Sequence, residues 1–439
     1  MSCLPHFTYR LLWIALALTL LCAAGRAQTE TVLYNFTRSG DGYRPVGSLV
    51  ADSFGNYYGT TSDGGLHSSQ CSRQGTQDPG CGTVFAISPN GSGGWILKTI
   101  YRFKGPPDGA APSSNLVLDS QGNLFGTTEY GGNGGHGCDQ VGLLGCGTIF
   151  RLSPTKSGAW TESVIYGSLA GIKADYPASL VSDSAGNLYG TLSPRSCSSV
   201  SGCGYVFKLT PGGSGGWAFS IVHAFSKSDG ADPTGVTVDS SGNLFVTTAE
   251  GATAYGTLVE LSPTGSNSYT MHLLHTFSDS DGRSPLAGVT LDSAGNIYGT
   301  ASIGGNTTVC VDGCGTVFEV SPNSVGSYDF AVLYSFSSII HSYPQTSLVF
   351  DAAGNLYGLA GGPDWPGFMF ELSPSGTNTW TESVVYDFSF HTDTGALPQS
   401  YNGLVIDSSG HLFGTLPYYG TPGGCKPFGC GVVYEITAK

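Results

Sequence analysis

Three carboxylates stand where they could do chemistry. Asp63, Glu129 and Glu250 each lie just past a recurring Asn-Leu-Tyr-Gly-Thr-like segment, in its first, second and fourth copies. Two carboxylates flanking one bond can act as general acid and base, and several acidic oxygens around one point can hold a divalent cation. If their loops converge, these three are the candidate catalytic residues. His67 and His136 lie in the same loops, while the equivalent positions in other copies hold Pro194, Ile303 and Pro417, so the set is scattered. A second group is Asp41, Asp108, Asp229 and Asp281, each followed by glycine. Their oxygens would suit calcium. Asp-Gly is also a strong turn former, and the turn is the reading preferred here. His272 and His275 sit three apart in a strand-like segment, hence on opposite faces, which makes them poor co-ligands. No Gly-x-Ser-x-Gly, His-Glu-x-x-His or phosphate-loop pattern is present. The balance favours a protein that is not an enzyme.

The elements that must position these residues are repeats. Asp-x-x-Gly-Asn-Leu-Tyr-Gly-Thr recurs from Asp52, Asp119, Asp183, Asp239, Asp292, Asp351 and Asp407. Gly-Thr-Val-Phe-x-Leu-Ser-Pro follows each time, starting at Gly82, Gly147, Gly204, Gly256, Gly315, Gly367 and Gly431. A third phrase runs from an aromatic residue to a Tyr-x-Phe-like end, as in Trp95 to Phe103. A fourth runs from a proline (Pro45, Pro112, Pro177, Pro233, Pro285, Pro344, Pro398) into a short apolar stretch. Each phrase is a strand-length run of apolar, aromatic and β-branched residues bounded by Gly, Pro, Asp or Ser. The order is strand A (apolar stretch), B (Asn-Leu-Tyr-Gly-Thr), C (Gly-Thr-Val-Phe) and D (the aromatic-led run). Asp-Ser-x-Gly between A and B suits a type I turn. Four antiparallel strands per repeat of this length make one propeller blade.

The ends complete the count. The seventh repeat stops after strand C at Gly431–Ile436, and the chain begins with an orphan strand D, Val32–Phe36. The expectation is an all-β, seven-bladed β-propeller, residues 28–439, closed by the N-terminal strand pairing with the last blade. Residues 1–27 read as a secretory signal peptide: Arg10, an apolar run from Leu11 to Ala24, and small residues flanking Arg26. No other run approaches the roughly 20 apolar residues of a membrane helix. Losing Arg10 and Arg26 with the leader takes the net charge from −14 to −16, which argues against nucleic acid.

Ten cysteines outside the leader form close pairs between strands B and C: Cys71/Cys81, Cys138/Cys146, Cys197/Cys203, Cys310/Cys314 and Cys425/Cys430. In an exported chain they read as five disulfides rather than zinc sites, since the pairs fall on different blades. Antiparallel order puts the short A–B and C–D turns on one face and the variable B–C and D–A loops on the other. The loop face is the expected binding face. The recurring aromatics Tyr58, Phe125, Tyr189, Phe245, Tyr298, Tyr357 and Phe413 could stack on sugars, but packing between blades is the preferred role.

The phrases GNLYGTT…GG and GTVFELSP resemble the GloVer tandem repeat of bacterial exported proteins, often called choice-of-anchor proteins. The resemblance covers nearly the whole mature chain. It implies a bacterial extracellular or cell-surface protein without an assigned activity. Members commonly end in an anchoring segment, whereas this chain ends at Lys439, right after strand C, so release or periplasmic residence is expected as readily as surface attachment. The A–B hairpin is also similar to those of NHL and gluconolactonase-like propellers, the latter holding a metal in the central channel. The expected function is a monomeric, non-catalytic propeller that binds a protein or glycan through its loop face, with no cofactor unless calcium. A propeller hydrolase or lactonase with a channel metal, and a structural surface or matrix component, are the alternatives.

Overall fold

The recurring phrases become strands because their β-branched and aromatic side chains fill both faces of a pleated sheet. In the computed structural model all seven repeats form antiparallel sheets with the strands in the order A-B-C-D. Described are residues 29–66, 68, 71, 80–132, 146–167, 176–193, 197, 202–213, 215–251, 255–265, 267–361, 367–376, 379–388, 403–418, 420, 425 and 429–437. Blade 1, for example, consists of Tyr43–Ala51, Tyr57–Asp63, Thr83–Pro89 and Trp95–Arg102. The N-terminal strand, Glu30–Asn35, pairs antiparallel with Val432–Ile436 and supplies strand D of blade 7. It begins two residues earlier than Val32, and Phe36 extends the pairing by donating its N–H to the Gly431 carbonyl at 3.0 Å.

The seven aspartates that open the A–B turns have one structural task. Asp52 Oδ1 accepts the amides of Phe54 (2.8 Å) and Asn56 (3.0 Å), and Oδ2 accepts the Asn56 side chain at 2.7 Å. The same two backbone bonds recur at the other six, through Asp407. Blade 7 has His411 where the others have asparagine, and His411 Nδ1 lies 2.8 Å from Glu435.

Inside each blade a glycine of strand B faces the phenylalanine of strand C. A Cβ added to Gly59, Gly126, Gly190, Gly299 or Gly358 would come within 2.4–2.5 Å of the opposing ring. Those rings, Phe85, Phe150, Phe207, Phe318 and Phe370, are fully buried. Blade 4 exchanges both members at once, pairing Val246 with Val259. Blade 7 sets Tyr434 against Gly414.

Between blades, the strand-B aromatic meets the aromatic that opens strand D of the next blade. Tyr58 packs against Trp160, Phe125 against Trp217 and Tyr298 against Trp380. Phe413 packs against Trp95 with ring centroids 5.8 Å apart, carrying the pattern across the closure. These rings are core, as preferred from the sequence. All seven D strands also carry a bulge at one shared place, leaving Leu33, Ile100, Ile165, Val222, Leu274, Leu333 and Val385 without a partner on strand C. The extra residue turns into the core between blades. The bulge also bends the outermost strand, whose free edge would otherwise invite pairing with another chain.

Candidate functional site

Strand A lines the axis of the ring. One cavity of about 140 Å³ is bounded by residues from strand A, or its approach, in all seven blades. Its polar wall includes Ser48, Ser113, Asn115, Ser179, Thr234 and Ser347, and Gly403 completes the circle in blade 7. The lining side chains are hydroxyls, one carboxamide and small aliphatics, without a formal charge. They partly replace the strand that the inner edge lacks: the Ser48 amide donates to Asn115 Oδ1 at 2.7 Å, and Thr237 Oγ1 donates to the Val289 carbonyl at 2.6 Å.

Two to four residues ahead of this lining, on the loop-face side, a lock joins neighbouring blades. The residue before the strand-A proline donates its N–H to the carbonyl just ahead of the strand-C glycine in the previous blade. The bonds are Arg44 to Cys430 (2.8 Å), Ala111 to Cys81 (2.9 Å), Asp232 to Cys203 (2.8 Å), Ser284 to Tyr255 (2.9 Å) and Tyr343 to Cys314 (2.9 Å). The proline ring then covers the glycine. A Cβ on Gly204 would stand 2.1 Å from Pro233 Cδ, and one on Gly431 2.2 Å from Pro45 Cδ. This is why Cys-Gly opens strand C and Xaa-Pro opens strand A. In four of these five locks the accepting carbonyl belongs to a disulfide cysteine. The described disulfides are Cys71–Cys81, Cys197–Cys203, Cys310–Cys314 and Cys425–Cys430. Cys146 is also disulfide-bonded, and its expected partner Cys138 lies outside the described residues.

To form the lock, Arg44, Ala111, Asp232, Ser284 and Tyr343 take left-handed backbone angles, φ 53–63°. That region costs an L-residue roughly 1–2 kcal/mol, and a following proline disfavours it further. The prolines are legible in the sequence; the left-handed residues before them are not, because nothing in their side-chain types announces the angle.

The three candidate carboxylates part company. Asp63 pairs with Tyr43 across the A–B ladder, and Glu250 occupies the same register opposite Ala231. In blade 2 that register belongs to Tyr130, opposite Ala110. Glu129 is one residue short and therefore points to the other face of its sheet; its carboxylate accepts the Tyr130 hydroxyl at 2.6 Å. Asp63 is buried and ion-paired to Arg44 at 3.2 Å, and Glu250 is exposed. The Arg44 guanidinium also lies 4.8 Å from the centroid of the Tyr418 ring, bridging blades 1 and 7. Ile303 lies in the Asp63 register of blade 5, bridged to Arg283. His67, His136 and Pro194 lie outside the described residues. Among the described residues no group of three or more His, Cys, Asp or Glu could hold a metal ion.

The four Asp-Gly carboxylates each tie down their own loop. Asp41 accepts the Thr37 amide at 2.9 Å and the Tyr34 hydroxyl at 3.0 Å. Asp108 accepts the Lys104 amide at 2.8 Å and the Tyr101 hydroxyl. Asp229 accepts the Ser226 amide at 2.7 Å and lies 2.9 Å from His223 Nε2. Asp281 accepts the Ser278 amide at 2.7 Å and lies 3.3 Å from His275 Nε2. Burial, aided by Asp41, pushes Tyr34 up to about 12. Burial holds His275 below its usual value, against the pull of Asp281. Next to Asp108, Glu162 is pushed up to about 8, by burial first and the neighbouring carboxylate second.

The loops above this frame carry exposed aliphatics. Val309 and Val311 flank Cys310, whose Sγ lies 4.0 Å from the Ser338 carbonyl, and Ile339 and Ile340 follow Ser338. Val311 is 94% exposed.

No curated protein sequence matches the chain. Among solved structures, PorZ, a surface component of the type-IX secretion system of Porphyromonas gingivalis, aligns with TM-score 0.50 at 15% identity, covering 93% of this chain and 48% of its own. The luciferin-regenerating enzyme aligns with TM-score 0.45 at 13% identity over 94% of this chain and 95% of its own. The gluconolactonase XC5397 of Xanthomonas campestris aligns with TM-score 0.42 at 14% identity over 78% and 90%. At these identities the likeness is one of fold alone. A family model, the Gloeobacter/Verrucomicrobia repeat, matches residues 19–199 and 176–434. The chain therefore belongs to the Gloeobacter/Verrucomicrobia repeat family.

Proposed function

We propose that this chain is an exported, non-catalytic binding scaffold whose ligand, a glycan or a protein, docks on the loop face. The observation that carries this reading is the contrast between the two faces. Around the turn face the same aspartate-capped A–B turn repeats seven times. Around the loop face one backbone lock holds side chains that differ from blade to blade: arginine, alanine, aspartate, serine and tyrosine. Variable side chains on a fixed frame are how a repeat protein presents a recognition surface. The leader-like N-terminus and the cysteine pairs support export, to the cell surface, the medium or the periplasm.

The test is a screen of the purified protein on glycan arrays and in pull-downs from the surface fraction of its own cells. A ligand lost when loop-face residues are substituted is the expected result. Turnover of a lactone or ester that chelation abolishes, with no ligand in either screen, would replace this reading with the metal-dependent hydrolase. Concentration-dependent self-assembly in sedimentation would instead favour a structural matrix component.

A further inference from the structure

We propose that the loop-face mouth of the central channel is a binding site for the end of a neutral oligosaccharide, with specificity set by the left-handed residues that ring it. This rests on the loop-face reading above and gives it a place and a ligand class.

The left-handed angles ahead of the channel carry a conformational cost. The lock requires a backbone N–H and a left-handed angle, and makes no demand on the side chain. Glycine meets both needs without steric penalty. The chain has 67 glycines and places them at most of its described left-handed positions. Of the six described residues that are left-handed without being glycine, five are these mouth positions. A conformational cost repeated around one opening is retained where the side chains have a task, and strain of this kind gathers at functional sites.

The side chains and the cavity below them indicate the task. Arg44, Asp232, Ser284 and Tyr343 are partly exposed at the start of strand A. Tyr418 stands beside Arg44 just past strand B of blade 7, and Tyr130 ends strand B of blade 2; both are partly exposed. Guanidinium and carboxylate groups can each bond two adjacent hydroxyls, and tyrosine faces can pack on the C–H face of a sugar ring. The channel beneath is uncharged and rich in hydroxyls, so a neutral polyhydroxyl group can exchange water for wall hydrogen bonds. A charged group would be desolvated there without a counter-ion. At about 140 Å³ the cavity admits the end of a chain and leaves its length outside.

The test uses the full-length mature protein with cellohexaose, xylohexaose and maltohexaose as probes in titration calorimetry. The first variant is Asp232→Gly/Ser284→Gly/Tyr343→Gly, which keeps the lock and removes the side chains. The second is Ser347→Leu, which fills the channel. Phe54→Ser, on an exposed A–B turn, is the control. The expected result is binding of at least one hexasaccharide by wild type, a tenfold or greater loss in both variants, no change in the control, and a triple-glycine Tm at or above wild type. Wild-type affinity in both variants would overturn the mouth as the site while leaving loop-face binding standing. A triple-glycine variant that melts well below wild type would show that these side chains hold the ring together, and would overturn the cost argument. Failure of all three probes to bind wild type would overturn the ligand class, and the protein pull-down would then decide the broader reading.

Discussion

Replacing Gly126 with alanine should destabilise blade 2, and the same replacement should cost far less once Phe150 has been replaced by valine. A Cβ added at Gly126 would stand 2.5 Å from Phe150 Cζ and 2.9 Å from Leu116 Cδ2, and both neighbours are buried. Gly126 lies in a regular strand without a left-handed angle, so the backbone accepts alanine. Overpacking of this kind costs about 1–3 kcal/mol, offset by about 0.5–1 kcal/mol from the lower entropy of an unfolded alanine. At mid-range these put the net cost of the single substitution at about 1 kcal/mol. Phe150→Val alone removes buried ring volume and should cost about 2–4 kcal/mol. The double variant approaches the arrangement of blade 4, where Val246 faces Val259, and its added methyl enters the space the ring vacates. Urea denaturation of wild type, both singles and the double closes the cycle. A double variant at least about 1 kcal/mol more stable than the sum of the singles is expected. Strict additivity, or a Gly126→Ala protein as stable as wild type, would refute the account of why the glycine recurs.

Tyr434 is fully buried, and its hydroxyl has no hydrogen-bond partner among the described residues. Tyr434→Phe should leave stability unchanged or raise it by up to about 1 kcal/mol, as read by the urea midpoint. Replacing both Cys425 and Cys430 with serine should cost about 2 kcal/mol through the opened loop. Because the Cys430 carbonyl receives the Arg44 N–H at 2.8 Å, the loss should be accompanied by faster exchange of the Arg44 amide. Glu162 gives a pH signature. Its folded pKa is raised to about 8 from an ordinary value of 4.5, so the folded state holds the proton more tightly than the unfolded chain. The stability it contributes is full below about pH 4.5 and is lost as pH rises through 8. Glu162→Gln should flatten the fall in Tm over that range, and an unchanged slope would place its origin elsewhere.

The blade count, strand order and ring closure were legible because each rests on local pattern repeated seven times. The Asp-x-x-Gly-Asn phrase carries its own turn, and the missing strand D at one end matches the surplus strand at the other. The four described disulfides were legible by spacing. The site was less so. Glu129 looks equivalent to Asp63 and Glu250 when the residues after the strand are compared loosely, yet one position reverses the face. The bulges at Ile100 and its six counterparts hide inside apolar runs, since an unpaired aliphatic residue has the same letters as a paired one. The mouth of the channel was hidden most fully. Its residues are near neighbours only because seven strand A segments share an axis, and their defining property is a backbone angle.

Hydrogen exchange of the wild-type protein, with and without whichever of the three hexasaccharides it binds, locates the recognition surface. Slowed exchange is expected in residues 37–47, 104–113, 226–235, 278–288 and 336–347, which lead into strand A on the loop face. Slowing confined to the A–B turns, such as residues 52–56 and 351–355, would contradict it and move recognition to the opposite face.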